Sequence, residues 1–206
     1  MSNRIIYSMI AAFVFAIIAY NLSEMGGESE VYQQEIREER LQKDRDFKED
    51  ERISPLTSSE RSAFIKLNYF EPSIAYKVEA DLEVLNEDSL ISMITTTGEK
   101  QKYVRYAFAH FILQSQKLRL TIYKSMDRLS KGMLFLPFTD LTNGKETYGA
   151  GRYVEIKNTN GISMTIDFNK AYNPYCAYNE TYSCPIPPKE NQLGISILAG
   201  EKKYKN

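Results

Sequence analysis

The sequence is poor in the side chains that most often carry chemistry. Its 206 residues include one histidine, His110, and two cysteines, Cys176 and Cys184. One imidazole and two thiols outside C-x2–4-C spacing do not complete a tetrahedral zinc set, so no metal is expected. An excess of charge is missing too: Lys+Arg number 26 against Asp+Glu 27, a formal net charge of -1, and no basic stripe is present. Such a chain has no counterion-release drive toward a polyanion, so nucleic acid is not an expected partner. No G-x-S-x-G or H-E-x-x-H occurs, and no G-x-G-x-x-G opens a helix, so neither those hydrolase chemistries nor a dinucleotide cofactor is indicated. Repeats and low-complexity tracts are lacking as well. What remains, 43% hydrophobic with 26% charged and 12% aromatic residues, is the composition of a globular protein. The length suits one domain plus a targeting segment.

Long apolar runs are absent except at the start. Residues 5–22 (IIYSMIAAFVFAIIAYNL) carry no charge, enough to cross a bilayer's hydrocarbon core. Arg4 precedes the run and Glu24, Glu28 and Glu30 follow it, an order that keeps the N-terminus in the cytoplasm. No A-x-A pattern stands near Ala19 to Gly27 for cleavage, which favours an uncleaved signal anchor over a removed signal peptide. Residues 1–27 are therefore read as a transmembrane helix, with the membrane as a partner. The rest of a single-pass cell-membrane protein would be extracytoplasmic. Residues 28–53 are almost wholly polar and predict a short charged helix, a solvated stalk, with Glu39/Lys43 and Asp44/Lys48 at i,i+4 spacing. A flexible charged linker is the other reading.

From 54 to 206 the pattern changes. Ser58-Ser59-Glu60-Arg61 can cap a short helix. Beyond Tyr76 apolar and polar residues alternate through 77–85, 102–113 and 117–123, and strand signals continue at 133–138, 152–157, 161–168 and 193–199. Thr97-Gly98, Ser115-Gln116, Asn143-Gly144 and Asn160-Gly161 supply turns. Short strands with hairpin turns predict a mainly β fold, an antiparallel barrel or sandwich. His110 is expected as a hydrogen-bonded residue on a buried strand face, beside Tyr106, Phe108 and Ile112.

Two stretches, PFTDLTNGKETYGAGRYVEI (137–156) and DFNKAYNPYCAYNETYSCPIPPKENQL (167–193), resemble the family catalogued as domain of unknown function 1684, with a weaker likeness through 54–82. The resemblance implies no activity.

Candidate site residues come from two places. A hairpin turning at residues 159–161 would put Arg152, Asp167 and Asn169 on one face, where a guanidinium held by a carboxylate can bind an anionic or carbonyl group. A structural ion pair is the plainer explanation for the same residues. Tyr148, in the Thr147–Gly151 approach, can donate a hydrogen bond, although a turn or bulge accounts for the glycines. The second place is the segment from Tyr172 to Gln192, whose prolines exclude helix and central strand and whose tyrosines argue against disorder. It predicts a long ordered loop offering Tyr172, Asn173, Tyr178, Asn179, Glu190 and Asn191, with Cys176 and Cys184 as a candidate disulfide. Three functions follow: a binding domain for a small polar or anionic ligand near Arg152, a hydrolase or transferase using Asp167 or Glu190 as base, and a purely structural role.

Overall fold

Alternation along the strands places one face of each in a shared core. The computed structural model describes residues 3–85, 90–126, 133–157 and 161–204; before Gly27 it describes side chains only at Tyr7, Phe13, Val14 and Phe15. Among these described residues seven strands form, β1 (Lys77–Val84), β2 (Leu90–Ile94), β3 (Lys100–Leu113), β4 (Gln116–Ser125), β5 (Met133–Phe138), β6 (Arg152–Lys157) and β7 (Ser163–Asp167). All pairings are antiparallel, in the order β6-β5-β4-β3-β1-β7, with β2 beside the first part of β3. The sheet curls into a half-barrel around Ala109, Phe111, Leu120, Ile122, Leu136, Phe138 and Ile166, all buried. Gln114 and Ser115, at φ of 51° and 60°, make the tight β3–β4 turn, a backbone whose twist matches that of the strands.

Three sequence expectations are corrected. The hairpin between residues 152–157 and 161–168 does not form: β6 pairs with β5 and β7 with β1, at opposite ends of the sheet. Leu134 and Leu136 stand opposite Ile156 and Val154, while Ala80 and Val78 stand opposite Met164 and Ile166, so both strands find apolar partners elsewhere. The expected turn at Asn160 lies outside the described residues. The stretch 193–199 is no strand; it crosses the core with Leu193, Ile195, Ile197 and Ala199 buried, because its amides and carbonyls are engaged by Thr139, Asp140 and Arg152. His110 is exposed and meets Glu83 at 3.2 Å, since the inward face of β3 belongs to Ala107, Ala109, Phe111 and Leu113.

Helix α1 (Asn3–Glu49) is continuous, and its second half is docked rather than a solvated stalk. Tyr32, Ile36 and Phe47 are buried at 6%, 2% and 2% exposure. With Arg40 and Lys43 they form a stripe at i, i+4, i+8, i+11 and i+15, one helix face. The expected i,i+4 ion pairs give way to tertiary ones: Lys43 reaches Glu201, Glu39 holds Lys170 at 2.6 Å, and Asp44 accepts the Leu67 amide. The helix lies over the seam between the two edge strands, where β6, β7, β1 and α1 border a cleft of about 510 Å3. Helix α2 (Ser58–Ala63) starts at Thr57, whose side chain and that of Glu60 make a reciprocal cap. Among the described residues no helix is long and apolar enough to cross a membrane; the run 5–22 is helical, but most of its side chains fall outside that description.

Candidate functional site

Arg152 opens β6 and is fully buried. Its partner is Asp140, at 2.9 Å, not Asp167. Its two terminal nitrogens also donate to the carbonyls of Ile197, Ala199 and Glu201, so the guanidinium stitches the C-terminal stretch to the sheet, while Nε is buried without a hydrogen-bond partner. Burial lowers its pKa, and Asp140 opposes that. No face of this group is open to a ligand. The shared face expected for Arg152 and Asp167 is thereby overturned.

Asp167 ends β7 and belongs to a different cluster. Its carboxylate accepts from Tyr32 Oη at 2.8 Å and from the Asn169 amide and Nδ2 at 3.0 and 3.1 Å. Asn169 also brackets Ser73, accepting from its amide and donating to its carbonyl. This knot fixes α1 to the sheet across the seam.

The loop 172–192 is ordered, as expected, and pinned along its length. Tyr172 and Tyr153 exchange two backbone hydrogen bonds of 2.9 Å. Asn173 and Tyr178 both bond the buried Glu201 carboxylate, which also holds Lys43. Asn179 donates to the Pro55 carbonyl. Cys184 and Ile186 bond the backbone of Thr96 and Ile94 at the β2–β3 turn. Glu190 takes bonds from Tyr123 and Arg105; burial raises its pKa, but these donors outweigh it and the net shift is downward. Asn191 fills the place where β4 and β5 splay, its amide bonding Thr121 N and O and Pro137 O at 2.7–2.8 Å.

Beside this loop lies a cleft of about 780 Å3, reaching from Lys43 and Phe47 of α1 across β3, β5 and β6 to Pro185. Its wall is a run of rings: Tyr103 and Phe135 stacked at 5.4 Å, Phe135 edge-on to Tyr153 at 4.7 Å, Tyr153 perpendicular to Tyr172 at 5.8 Å. Tyr175 and Tyr182, 5.2 Å apart and each 37% exposed, stand at the rim. Lys43 lies 5.0 Å from the centre of the Tyr172 ring, whose hydroxyl donates to Glu155 at 2.9 Å. Burial pushes the phenols of Tyr153 and Tyr172 well up, so both stay neutral donors.

Cys176 and Cys184, the candidate disulfide pair, are free thiols in this structure. They are nonetheless neighbours: the Cys176 amide donates to Cys184 Sγ at 3.2 Å, and Tyr148 Oη donates to Cys176 Sγ at 3.7 Å.

A family model for proteins of unknown function, DUF1684, matches residues 62–202. The chain belongs to the DUF1684 family. A solution NMR structure of an uncharacterised protein from gene locus rrnAC0354 of Haloarcula marismortui (target HmR11) is similar at 35% identity and a TM-score of 0.64, covering 84% of this chain and 95% of that one. A share of 84% is more than residues 50–206 can supply, so the likeness reaches back into α1. No curated protein matches.

In this DUF1684 protein the sequence reading missed Asp140, Glu201, Tyr32, Lys43, Tyr153 and Glu155. Only the helical stripe from Tyr32 to Phe47 could have signalled two of them. Gly151, by contrast, is where the glycine-rich approach has its reason: at φ +103°, an added Cβ would lie 2.6 Å from Pro187 and 2.8 Å from the Phe138 carbonyl.

Proposed function

We propose that this DUF1684 protein is a membrane-tethered binding domain that takes a small polar ligand in the tyrosine-walled cleft. The observation that carries the reading is the cleft itself: aromatic rings line it together with polar groups that include Lys43, Asp46, Gln101 and Glu155. Rings of that kind favour a ligand with one flat apolar face and polar edges, and a saccharide is the simplest such chemistry. Arg152 is sealed, so an anion held by that residue is no part of the proposal. Asp167 and Glu190 give little support to a base-catalysed hydrolase or transferase, because each carboxylate already accepts several hydrogen bonds. The tether would be the uncharged run 5–22, a signal anchor leaving the domain extracytoplasmic. Tyr7, Phe13, Val14 and Phe15, at 48–73% exposure, supply the apolar helix surface a bilayer would cover.

Titration of the full chain in detergent with neutral mono- and disaccharides, followed by amide NMR, tests the cleft. Shifts should concentrate on residues 172–185 and on β5 and β6, and Tyr175→Ala with Tyr182→Ala should weaken them at least several-fold. Saccharides that leave these amides unmoved would remove the basis for the reading.

A further inference from the structure

The two cysteines sit where a pair of inert core thiols would not. Seven residues separate them in sequence, yet the loop folds back so that the Cys176 amide donates to Cys184 Sγ at 3.2 Å. Each is held from a different side. Cys176 lies in a single 3-10 turn, Tyr175–Ala177, with Tyr148 Oη against its sulfur. Cys184 is fixed to the β2–β3 turn, its amide donating to Thr96 Oγ1 at 3.2 Å and its carbonyl accepting from the Thr96 amide at 2.9 Å. Cys184 also borders the tyrosine-walled cleft, which gives the pair a route to solvent. The intervening Glu180 and Thr181 are exposed, so the segment between them has room to adjust.

We propose that Cys176 and Cys184 form a redox-active dithiol that exchanges with low-molecular-weight disulfides entering through the cleft, with Tyr148 positioning the Cys176 sulfur. One cysteine thiolate attacks a sulfur of the incoming disulfide, whose S–S bond breaks and releases one thiolate. The other cysteine, its proton passing to solvent, attacks the mixed disulfide and releases the second. The protein loses two electrons and two protons; the external disulfide gains them as two thiols. The surroundings suit this chemistry. Hydrogen bonds from the Cys184 thiol, then from Tyr148 and Thr96, outweigh burial and bring Cys176 down to about 6, whereas Cys184 is pushed far up by sharing that bond and by burial. The titratable groups facing the pair are Tyr148, Tyr153 behind it and Glu180 beside Tyr148, and Thr96 adds a neutral hydroxyl. Closing the ring would fix the segment that carries Tyr182 at the rim of the cleft.

The test uses the full chain in detergent, equilibrated in glutathione buffers of stepped oxidation, alkylated and weighed intact. Wild type should pass in one two-electron transition from two alkylated thiols to an unalkylated species two hydrogens lighter than the reduced, unalkylated chain, with no lasting glutathione adduct. The oxidised form should melt roughly 5–10 °C higher, the consequence of closing so short a loop. Tyr148→Phe, which keeps both thiols, should shift the pH midpoint of Cys176 alkylation upward and slow oxidation several-fold. Persistent glutathione adducts on wild type, thiols alkylatable across the whole series, or a Tyr148→Phe pH profile identical to wild type would overturn the proposal.

Discussion

Arg152 is the clearest case of a residue whose chemistry was visible and whose partner was not. Its type and its place at the start of β6 single it out, but alternation along a strand says nothing about which strand lies next to it. The guanidinium ends against Asp140 and three carbonyls in the interior. Removing one member of such a pair strands the other in a medium of low polarity, so Arg152→Met should cost about 3–5 kcal/mol in urea unfolding. Adding Asp140→Asn to it should cost less than the sum of the two changes, because they act on one contact. A loss under about 1 kcal/mol for Arg152→Met would contradict the role assigned here. The tyrosines and asparagines of 172–192 were legible as an ordered loop from composition alone. Their individual bonds were not, since Asn191 and Asn173 satisfy backbone groups whose vacancy arises only when β4, β5 and the C-terminal stretch are already in place.

At the scale of elements, the strands were readable wherever alternation was strong, and β2 (Leu90–Ile94) was not, being a short edge hairpin with a mixed pattern. The main surprise is α1. Two cations and a tyrosine occupy three of the five inward positions between Tyr32 and Phe47, so a search for aliphatic stripes passes over it. The pair Ile36 and Leu41 separates the two pictures of this helix. Ile36, 2% exposed, should lose about 2–4 kcal/mol on replacement by alanine, whereas Leu41, 55% exposed, should change stability by less than about 0.5 kcal/mol. Equal small effects in chemical denaturation would mean that the helix is a free stalk after all. That the likeness to the Haloarcula marismortui structure reaches back into α1 fits a helix that is part of the domain.

For the whole molecule, the family model leaves out residues 1–61 and with them the uncharged run, so location is a property to be measured on this chain. Alkaline carbonate extraction of membranes should leave the full chain in the pellet and release a form lacking residues 1–27. A full chain recovered in the supernatant would end the tether proposal. The fold also joins the two ends of the chain: Lys43 of the N-terminal helix and Glu201 near the last described residue meet inside the same cluster that anchors Tyr178.

The open edge of the half-barrel has a mechanical corollary. Helix α1 is laid over it like a zip, with Tyr32 against Asp167 as the first tooth and Phe47 as the last. Traction from the N-terminal end would peel these contacts one by one, freeing α1 from the end of β7 and from the C-terminal stretch before any strand ladder is sheared.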